Sequence, residues 1–426
     1  MNLAQYLVNS ARAYPDRKAI CFEGTAISFR ELDIQCNRLA NVLRDLGLVP
    51  GDRCLVMMPN SIERIVVYFA LAKMGVEQVV VNIQQRFRRL IKIVGDSEPK
   101  AFIGAEPHLE EIRKVFKTVH GPAIRLAKGV SEDSEFIDLR MAYSARPEYP
   151  LYQAQDDDVV NILYASLSSD FPRGIMFTHK NLAASCKAVA EMYGEIDPDA
   201  AVIGVLSLSR IYGINSLLNS SIYRGLTIEL FNQFDPKKVI EVIESRRQTL
   251  LYAVPALVGR LIQFADTHGL LRSSLNYCVS EGASLPADIL RRFEDMFDAR
   301  IYEGYGYNEA PSCIENSCAR EIKTGSIGFP VQGYKARIVD ELGRNMPEDA
   351  TGKLLIKGVG VMKGYLNHSE ETAMVLKDGW LHTSDMARMD KDGYIYLMNR
   401  NTDRTTRGKC GSHLHEIEDA VVGYAV

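Results

Sequence analysis

The sequence contains no long hydrophobic run. Its longest apolar stretch, Ile65–Ala72, stops at Lys73 and is far shorter than the roughly 20 residues that a membrane-spanning helix needs. The N-terminal residues are polar at helical spacing and lack the apolar core of a signal peptide. We therefore expect a cytoplasmic protein without a membrane span.

The sequence also lacks paired cysteines and an excess of charge. Its eight cysteines include no Cys-x-x-Cys pair, so we expect a reduced compartment and neither a disulfide framework nor a zinc site. Lysine and arginine number 50 against 54 aspartates and glutamates, a net charge of −4. Because nucleic-acid-binding proteins usually carry a clustered basic surface, this balance argues against nucleic acid as a partner.

What the sequence does contain, over most of its length, is short apolar strands alternating with helices. With 426 residues, 46% of them hydrophobic, it is long enough for two or three domains. Ser28 and Glu31 form a capping box that opens a helix, and a second helix is predicted from about Ser61 to Met74. The predicted strands are Cys54–Met58, Val79–Val81, Val159–Ala165, Val202–Leu206, Thr227–Leu230, Leu250–Val254, Leu275–Val279 and Arg300–Gly304. This alternation is typical of parallel sheets covered by helices on both faces.

The pattern changes at about Gly325, where short strand-like runs are separated by glycine turns. Such runs predict a small antiparallel β subdomain, and Asp390–Gly393 is typical of a hairpin turn. The predicted fold is therefore α/β, with two doubly wound α/β subdomains plus a small antiparallel β-barrel subdomain. The expected boundaries are 1–150 and 151–323 for the two α/β subdomains and 324–400 for the barrel.

The most informative segment is Tyr164–Leu182, YASLSSDFPRGIMFTHKNL. A strand leads into a loop of small hydroxyl residues, then Pro-Arg-Gly, a second short strand and a helix start. This layout resembles the phosphate loop of the adenylate-forming ligases, a superfamily of acyl-CoA synthetases, aryl-CoA ligases, peptide-synthetase adenylation domains and luciferases. The segments Glu303–Ala310, Gly379–Arg400 and Asp403–Glu418 resemble the later motifs of that superfamily, in the same order.

The resemblance implies roles for residues around the nucleotide's phosphates. Ser166, Ser168 and Ser169 would donate hydrogen bonds to the phosphates, and Arg173 would supply a positive charge in place of the usual lysine. Glu309 occupies the position that holds magnesium, a hard cation that prefers carboxylate oxygens. Arg173 and Glu309 are thus the predicted catalytic residues, although Glu309 could also be a solvated surface charge.

The same resemblance implies an adenosine site. Gly282 and Ala283 would pass behind the adenine, and Glu303, Gly304 and Tyr305 would stack on it and frame it. An alternative for Tyr305 is a place in the hydrophobic core.

Asp385 would accept the ribose hydroxyls, unless it only caps a turn. Arg400 would contact the ribose or a phosphate, and Asn308 would donate to the α-phosphate through its amide. The predicted substrate pocket consists of Arg210, Tyr212, Ser280 and Tyr307. Arg210 could pair with a substrate carboxylate or with a nearby acidic side chain.

Several residues depart from the superfamily pattern. Leu167 and Asp170 replace two loop glycines, and Glu281 replaces the first glycine of the segment behind the adenine. The Asp170 carboxylate would repel a triphosphate. By the resemblance, residues 401–426 correspond to the hinge and a remnant of the C-terminal domain, whose adenylation lysine is not in the sequence. Losing one preorganised charge of that kind costs about 3–4 kcal/mol of transition-state stabilisation.

The function implied by the resemblance is that of an AMP-dependent acid–thiol ligase. ATP and Mg would activate a small-molecule carboxylic acid to acyl-AMP, and CoA or a carrier thiol would then accept the acyl group. The departures predict that this reaction is impaired in the chain alone. A third possibility is that a C-terminal-domain or carrier protein completes the reaction in trans, or that the sequence is truncated and the longer protein carries the missing lysine. The alternative is a non-catalytic homologue that binds a nucleotide, an acyl-adenylate or a protein partner.

Overall fold

The computed structural model describes residues 1–106, 108–131, 134–164, 172–269 and 273–398. These residues form two large, mainly parallel sheets and one small antiparallel sheet, which we call the first, second and small sheets. This architecture confirms the predicted α/β fold class.

The first sheet combines strands from both sides of residue 150. The segments 53–57, 77–80, 101–105, 124–128, 137–138 and 159–163 pair in parallel, and antiparallel segments close one edge. From edge to edge its strands are Gly364–Tyr365, Ile175–Thr178, Val159–Leu163, Glu77–Val80, Arg53–Met57, Ala101–Ala105, Ile124–Lys128 and Ile137–Asp138.

The second sheet takes its first strands from the N-terminus. Its centre is parallel, with Ile20 beside Ile228 and Val202 beside both Ile228 and Leu250. From edge to edge its strands are Phe329–Pro330, Ala310–Glu315, Arg300–Tyr307, Leu275–Ser280, Thr249–Ala253, Ala201–Gly204, Thr227–Leu230, Lys18–Phe22 and Thr25–Ser28. The chain therefore crosses between the two large sheets more than once.

The helices begin where the sequence signals them. Ser28 forms the predicted capping box with Glu31 at the start of helix Phe29–Asp45. Ser61 caps helix Ile62–Met74, and Gly75 ends that helix with a φ of 72°. The α-helices are Gln5–Ala13, Phe29–Asp45, Ile62–Met74, Phe87–Ser97, Leu109–Thr118, His179–Glu191, Ser220–Arg224, Pro236–Ser245, Pro255–His268, Ala287–Phe297 and Ser369–Val375, with a 3₁₀ turn at Leu139–Ser144 and a π-helical turn at Gly213–Asn219. Among the described residues, no helix combines the length and apolar character needed to cross a membrane.

One large core joins the two main sheets. Helix Ile62–Met74 is buried along almost its whole length, and its side chains share a cluster with Val56 of the first sheet and Ile228 of the second. Because apolar contacts at this helix hold both sheets, the loops at their facing edges are fixed relative to each other.

The small sheet packs against the edge of the second sheet. Its antiparallel strands are Tyr334–Val339, Gly352–Gly358, Leu376–Lys377, Trp380–Met389 and Ile395–Leu397. Asp390–Gly393 forms the predicted hairpin turn before the last strand. Leu354 and Ile356 share a core with Tyr305 and Ile314 of the second sheet, so the small sheet is held beside the motif that contains Tyr305.

Candidate active site

A cavity of about 190 Å³ lies where the carboxyl ends of the parallel strands of both large sheets meet. Met58, Asn82, Leu206, Val254 and Glu281 line it, and each lies one or two residues past the end of a strand. Open α/β sheets bind ligands at this edge, because the loops there are free to vary while the strands hold them in place.

The cavity brings together most of the predicted substrate and α-phosphate residues. Arg210, Tyr212 and Tyr307 line it, together with Gly282 and Asn308. Tyr212 is fixed by a hydrogen bond from its hydroxyl to the carbonyl oxygen of Val279, at 3.0 Å.

Two predicted residues lie beside this cavity without lining it. Ser280 is buried, and Ala283 is half-buried. Within the described part of the chain, the Ser280 hydroxyl has no hydrogen-bond partner.

The two predicted catalytic residues lie on either side of Tyr365. The Tyr365 hydroxyl donates to Glu309 Oε1 at 2.6 Å, and the Arg173 guanidinium lies over the Tyr365 ring, with Cζ 5.4 Å from its centroid. Strand pairing explains this arrangement, since Tyr365 lies opposite Ile175, two residues after Arg173. Burial, and then the Glu309 charge, raises the pKa of Tyr365, so this hydroxyl stays a donor.

Glu309 suits a magnesium ion that is shared with nucleotide phosphates. Glu309 is 9% exposed, and its carboxylate accepts a hydrogen bond from the Tyr365 hydroxyl. No group of three metal-ligating side chains occurs among the residues that the structure describes. Mg²⁺ is usually bound through one or two carboxylates together with substrate phosphates and water, so a single carboxylate fits it.

Tyr305 and Asp385 are joined directly. The Tyr305 hydroxyl donates to Asp385 Oδ2 at 2.7 Å, while the Tyr305 ring has no exposed surface and packs in the core between the second and small sheets. The stacking role of Tyr305 stays a prediction, and the ring occupies the core position that was the alternative. The backbone N–H of Asp385 donates to Thr383 Oγ1 at 3.2 Å, which fixes the main chain at this position.

The other residues predicted to frame the adenine, Glu303 and Gly304, lie in the second sheet next to the cavity. Glu303 Oε1 accepts a hydrogen bond from the backbone N–H of Leu285 at 3.1 Å. Gly304 is wedged between two acidic side chains, because a Cβ there would lie 2.9 Å from Cγ of both Glu281 and Glu315. The predicted residues Ser166, Ser168, Ser169 and Arg400 lie outside the described residues, as does the segment 401–426.

Three residues that organise the site were not predicted from the sequence. Asn60 is buried, donates to the carbonyl oxygens of Leu206 and Phe231, and accepts from the N–H of Leu208. The sequence could have indicated Asn60, because a polar residue just past a buried parallel strand marks the ligand-binding edge of the sheet. No local sequence pattern indicates Tyr365 or Glu315, because each acts through a distant partner. Tyr365 contacts Glu309, and Glu315 accepts from the Tyr193 hydroxyl.

Comparison with known proteins agrees with this geometry. A long-chain-fatty-acid–CoA ligase of Bacillus subtilis (strain 168) is 28% identical over 98% of this chain and 80% of its own length. A feruloyl-CoA synthase of an Amycolatopsis species is 30% identical over 99% of the chain and 83% of its own length. The crystal structure of ATP-bound MatB from Rhodopseudomonas palustris superposes with a TM-score of 0.85, at 26% identity, over 94% of this chain and 79% of that one. The AMP-binding enzyme family matches residues 7–366, and the chain belongs to that family.

Proposed function

We propose that this chain activates a small carboxylic acid as an acyl-adenylate in the cavity between the two large sheets. The observation that carries the proposal is the convergence of the predicted substrate residues and the predicted nucleotide residues on one cavity. The substrate residues Arg210, Tyr212 and Tyr307 and the nucleotide residues Gly282 and Asn308 line the same space. A reaction between an acid and a nucleotide needs the two binding regions to meet in this way.

The reaction is a substitution at phosphorus followed by an acyl transfer. A carboxylate oxygen of the acid attacks the α-phosphorus of ATP, the bond to the β-phosphate bridging oxygen breaks, and pyrophosphate leaves. The sulfur of CoA or of a carrier thiol then attacks the acyl carbon, loses its proton and displaces AMP. The relatives named above as CoA ligases support CoA as the acceptor.

The protein's own residues bind and orient the reactants. Arg173 places positive charge beside Tyr365, Asn308 lines the cavity with an amide side chain, and Asp385 offers a carboxylate that Tyr305 holds in place. Glu309 would hold magnesium, which neutralises phosphate charge when it is bound. Catalysis of this kind depends on positioning and charge neutralisation and requires no covalent nucleophile from the protein.

The phosphate-loop residues Leu167 and Asp170 favour a second candidate, in which the chain binds nucleotide and acid without turnover. ATP–pyrophosphate exchange with a panel of carboxylic acids separates the two. Acid-dependent exchange by the purified chain, reduced about 100-fold or more in Glu309→Gln, is expected if it adenylates. Glu341→Gln, which removes a carboxylate exposed on the small sheet, should keep the wild-type rate.

Titration calorimetry with AMP and with the acids gives the second readout. Binding without exchange would identify the non-catalytic candidate. The absence of binding and of exchange would contradict both.

A further inference from the structure

A glutamate forms part of the cavity wall at a position where the resemblance predicts glycine. Glu281 directly follows the strand Leu275–Ser280, is 2% exposed and lines the cavity with Tyr212 and Ser312. A buried carboxylate is costly unless it is hydrogen-bonded, so the surroundings of Glu281 must stabilise it.

Two glycines make room for this side chain. A Cβ at Gly306 would lie 2.9 Å from Glu281 Oε2, and a Cβ at Gly304 would lie 2.9 Å from Glu281 Cγ. The carboxyl group therefore packs against bare backbone of the neighbouring strand. Any other residue at these two positions would push Glu281 out of its place.

A hydroxyl and a second buried acid lie beside the Glu281 carboxyl group. The Ser312 hydroxyl donates to Oε1 at 2.8 Å, and Ser312 adopts a φ of 39° in doing so. Glu315 lies behind Gly304 with no exposed surface, and its burial, followed by the Glu281 charge, raises the pKa of Glu315 well above its usual range. The raised pKa favours the neutral form of Glu315, so the charge of Glu281 meets less repulsion from behind.

We propose that Glu281 determines substrate specificity, and that the cavity selects compact carboxylic acids whose acyl group carries an N–H or O–H donor that reaches this carboxylate. The inference rests on the proposed function, since it takes the cavity as the acyl site. The cavity's 190 Å³ is a little more than the roughly 150 Å³ that holds a benzene ring, so an acyl group of about one ring fits. A second carboxylate on the acyl group would be repelled by Glu281.

Matched aromatic acids test this selection, and binding is the first readout, so the test does not require turnover. The 2-, 3- and 4-isomers of hydroxybenzoate and aminobenzoate are each titrated against the methylbenzoate of the same substitution. In the wild-type chain, at least one hydroxy or amino isomer is expected to bind about 10-fold or more tightly than its methyl counterpart, because a hydrogen bond to a charged group is among the stronger ones.

Variants then locate the preference. Glu281→Gln keeps the shape and loses the charge, and should weaken the preference several-fold. Glu281→Gly, the residue expected from the resemblance, should abolish it. Glu294→Gln is the matched control, because it removes a carboxylate that pairs with Arg300 and does not line the cavity. It should keep the preference in full, and thermal melting checks that each variant is folded.

The outcomes separate this inference from the proposed function. If methyl-substituted acids bind and undergo pyrophosphate exchange as well as the donor-bearing ones, the function stands and the role of Glu281 is wrong. A preference that survives Glu281→Gly also overturns that role. If no acid binds or supports exchange, both the inference and the proposed function are wrong.

Discussion

Glu315 provides a direct test of the buried acid pair through the pH dependence of stability. Its carboxyl group has no exposed surface, Oε2 accepts from the Tyr193 hydroxyl at 2.5 Å, and Glu281 lies against it across Gly304. Two carboxylates this close in a low dielectric cannot both be ionised at little cost, so burial and the Glu281 charge raise the pKa of Glu315. Glu315→Gln replaces the acid with a neutral side chain of nearly the same shape.

The sign follows from where the proton binds. The pKa of Glu315 is raised in the fold, whereas in the unfolded chain it returns to about 4.3. The folded state therefore binds more protons above that pH, and the stability contributed by Glu315 is lost as pH rises toward the folded pKa. The slope is up to about 1.4 kcal/mol of unfolding free energy per pH unit. The glutamine variant lacks this loss, so it should gain on the wild type by that amount per unit.

Urea unfolding of both proteins between about pH 5 and pH 7 measures the difference, which cancels the titration of every group that does not interact with Glu315. Glu341→Gln controls for the loss of a carboxylate at the surface. A difference between wild type and Glu315→Gln that does not change with pH would refute the reasoning, because it would mean that Glu315 binds no extra proton in the fold. A slope of the opposite sign would refute it as well.

Two further predictions concern the ribose contact and the cavity loops. Asp385→Asn should weaken AMP binding about 10- to 100-fold by calorimetry, because hydrogen bonds to a charged acceptor are lost. AMP lacking both ribose hydroxyls should bind variant and wild type alike, and a preserved difference would contradict the ribose role. Asn60→Ala leaves two carbonyl oxygens and the N–H of Leu208 without their partner, so urea unfolding should show a loss of about 2–4 kcal/mol. Asn345→Ala, at an exposed contact with Arg337, should change stability by less than about 0.5 kcal/mol, and an equal loss in both would contradict the role of Asn60.

The sequence predicted the local elements well because their signals are local. Strand Thr227–Leu230 begins and ends where the apolar run does, and the Ser28 capping box lies at the start of its helix. The strand at Arg300 is longer than predicted and continues to Tyr307, because it turns back and pairs with Ala310–Glu315. That pairing depends on a partner strand, which the composition of residues 300–304 does not reveal.

The site divides in the same way. Arg210, Tyr212 and Tyr307 were predictable because they lie in motifs whose order is visible along the chain. The contact between Tyr365 and Glu309 joins residues 56 positions apart and arises because a two-residue strand pairs beside Ile175. No periodicity marks such a contact, so its role becomes visible only in the fold.

The glutamate at position 281, where the resemblance predicts glycine, is not what random loss of a binding site would leave, because the residues around it accommodate its side chain. A glutamate placed alone in this wall would leave a buried charge without donors, at a cost of several kcal/mol. Here Ser312 supplies a hydroxyl from a left-handed conformation that itself costs of order 1 kcal/mol. Two glycines leave space for the side chain, and the raised pKa of Glu315 favours the neutral form of the acid behind it. Strain and buried acids of this kind persist where the surrounding structure over-determines them, which is typical of functional sites. The compensation around Glu281 therefore favours a cavity adapted to a particular ligand over one that has lost its ligand.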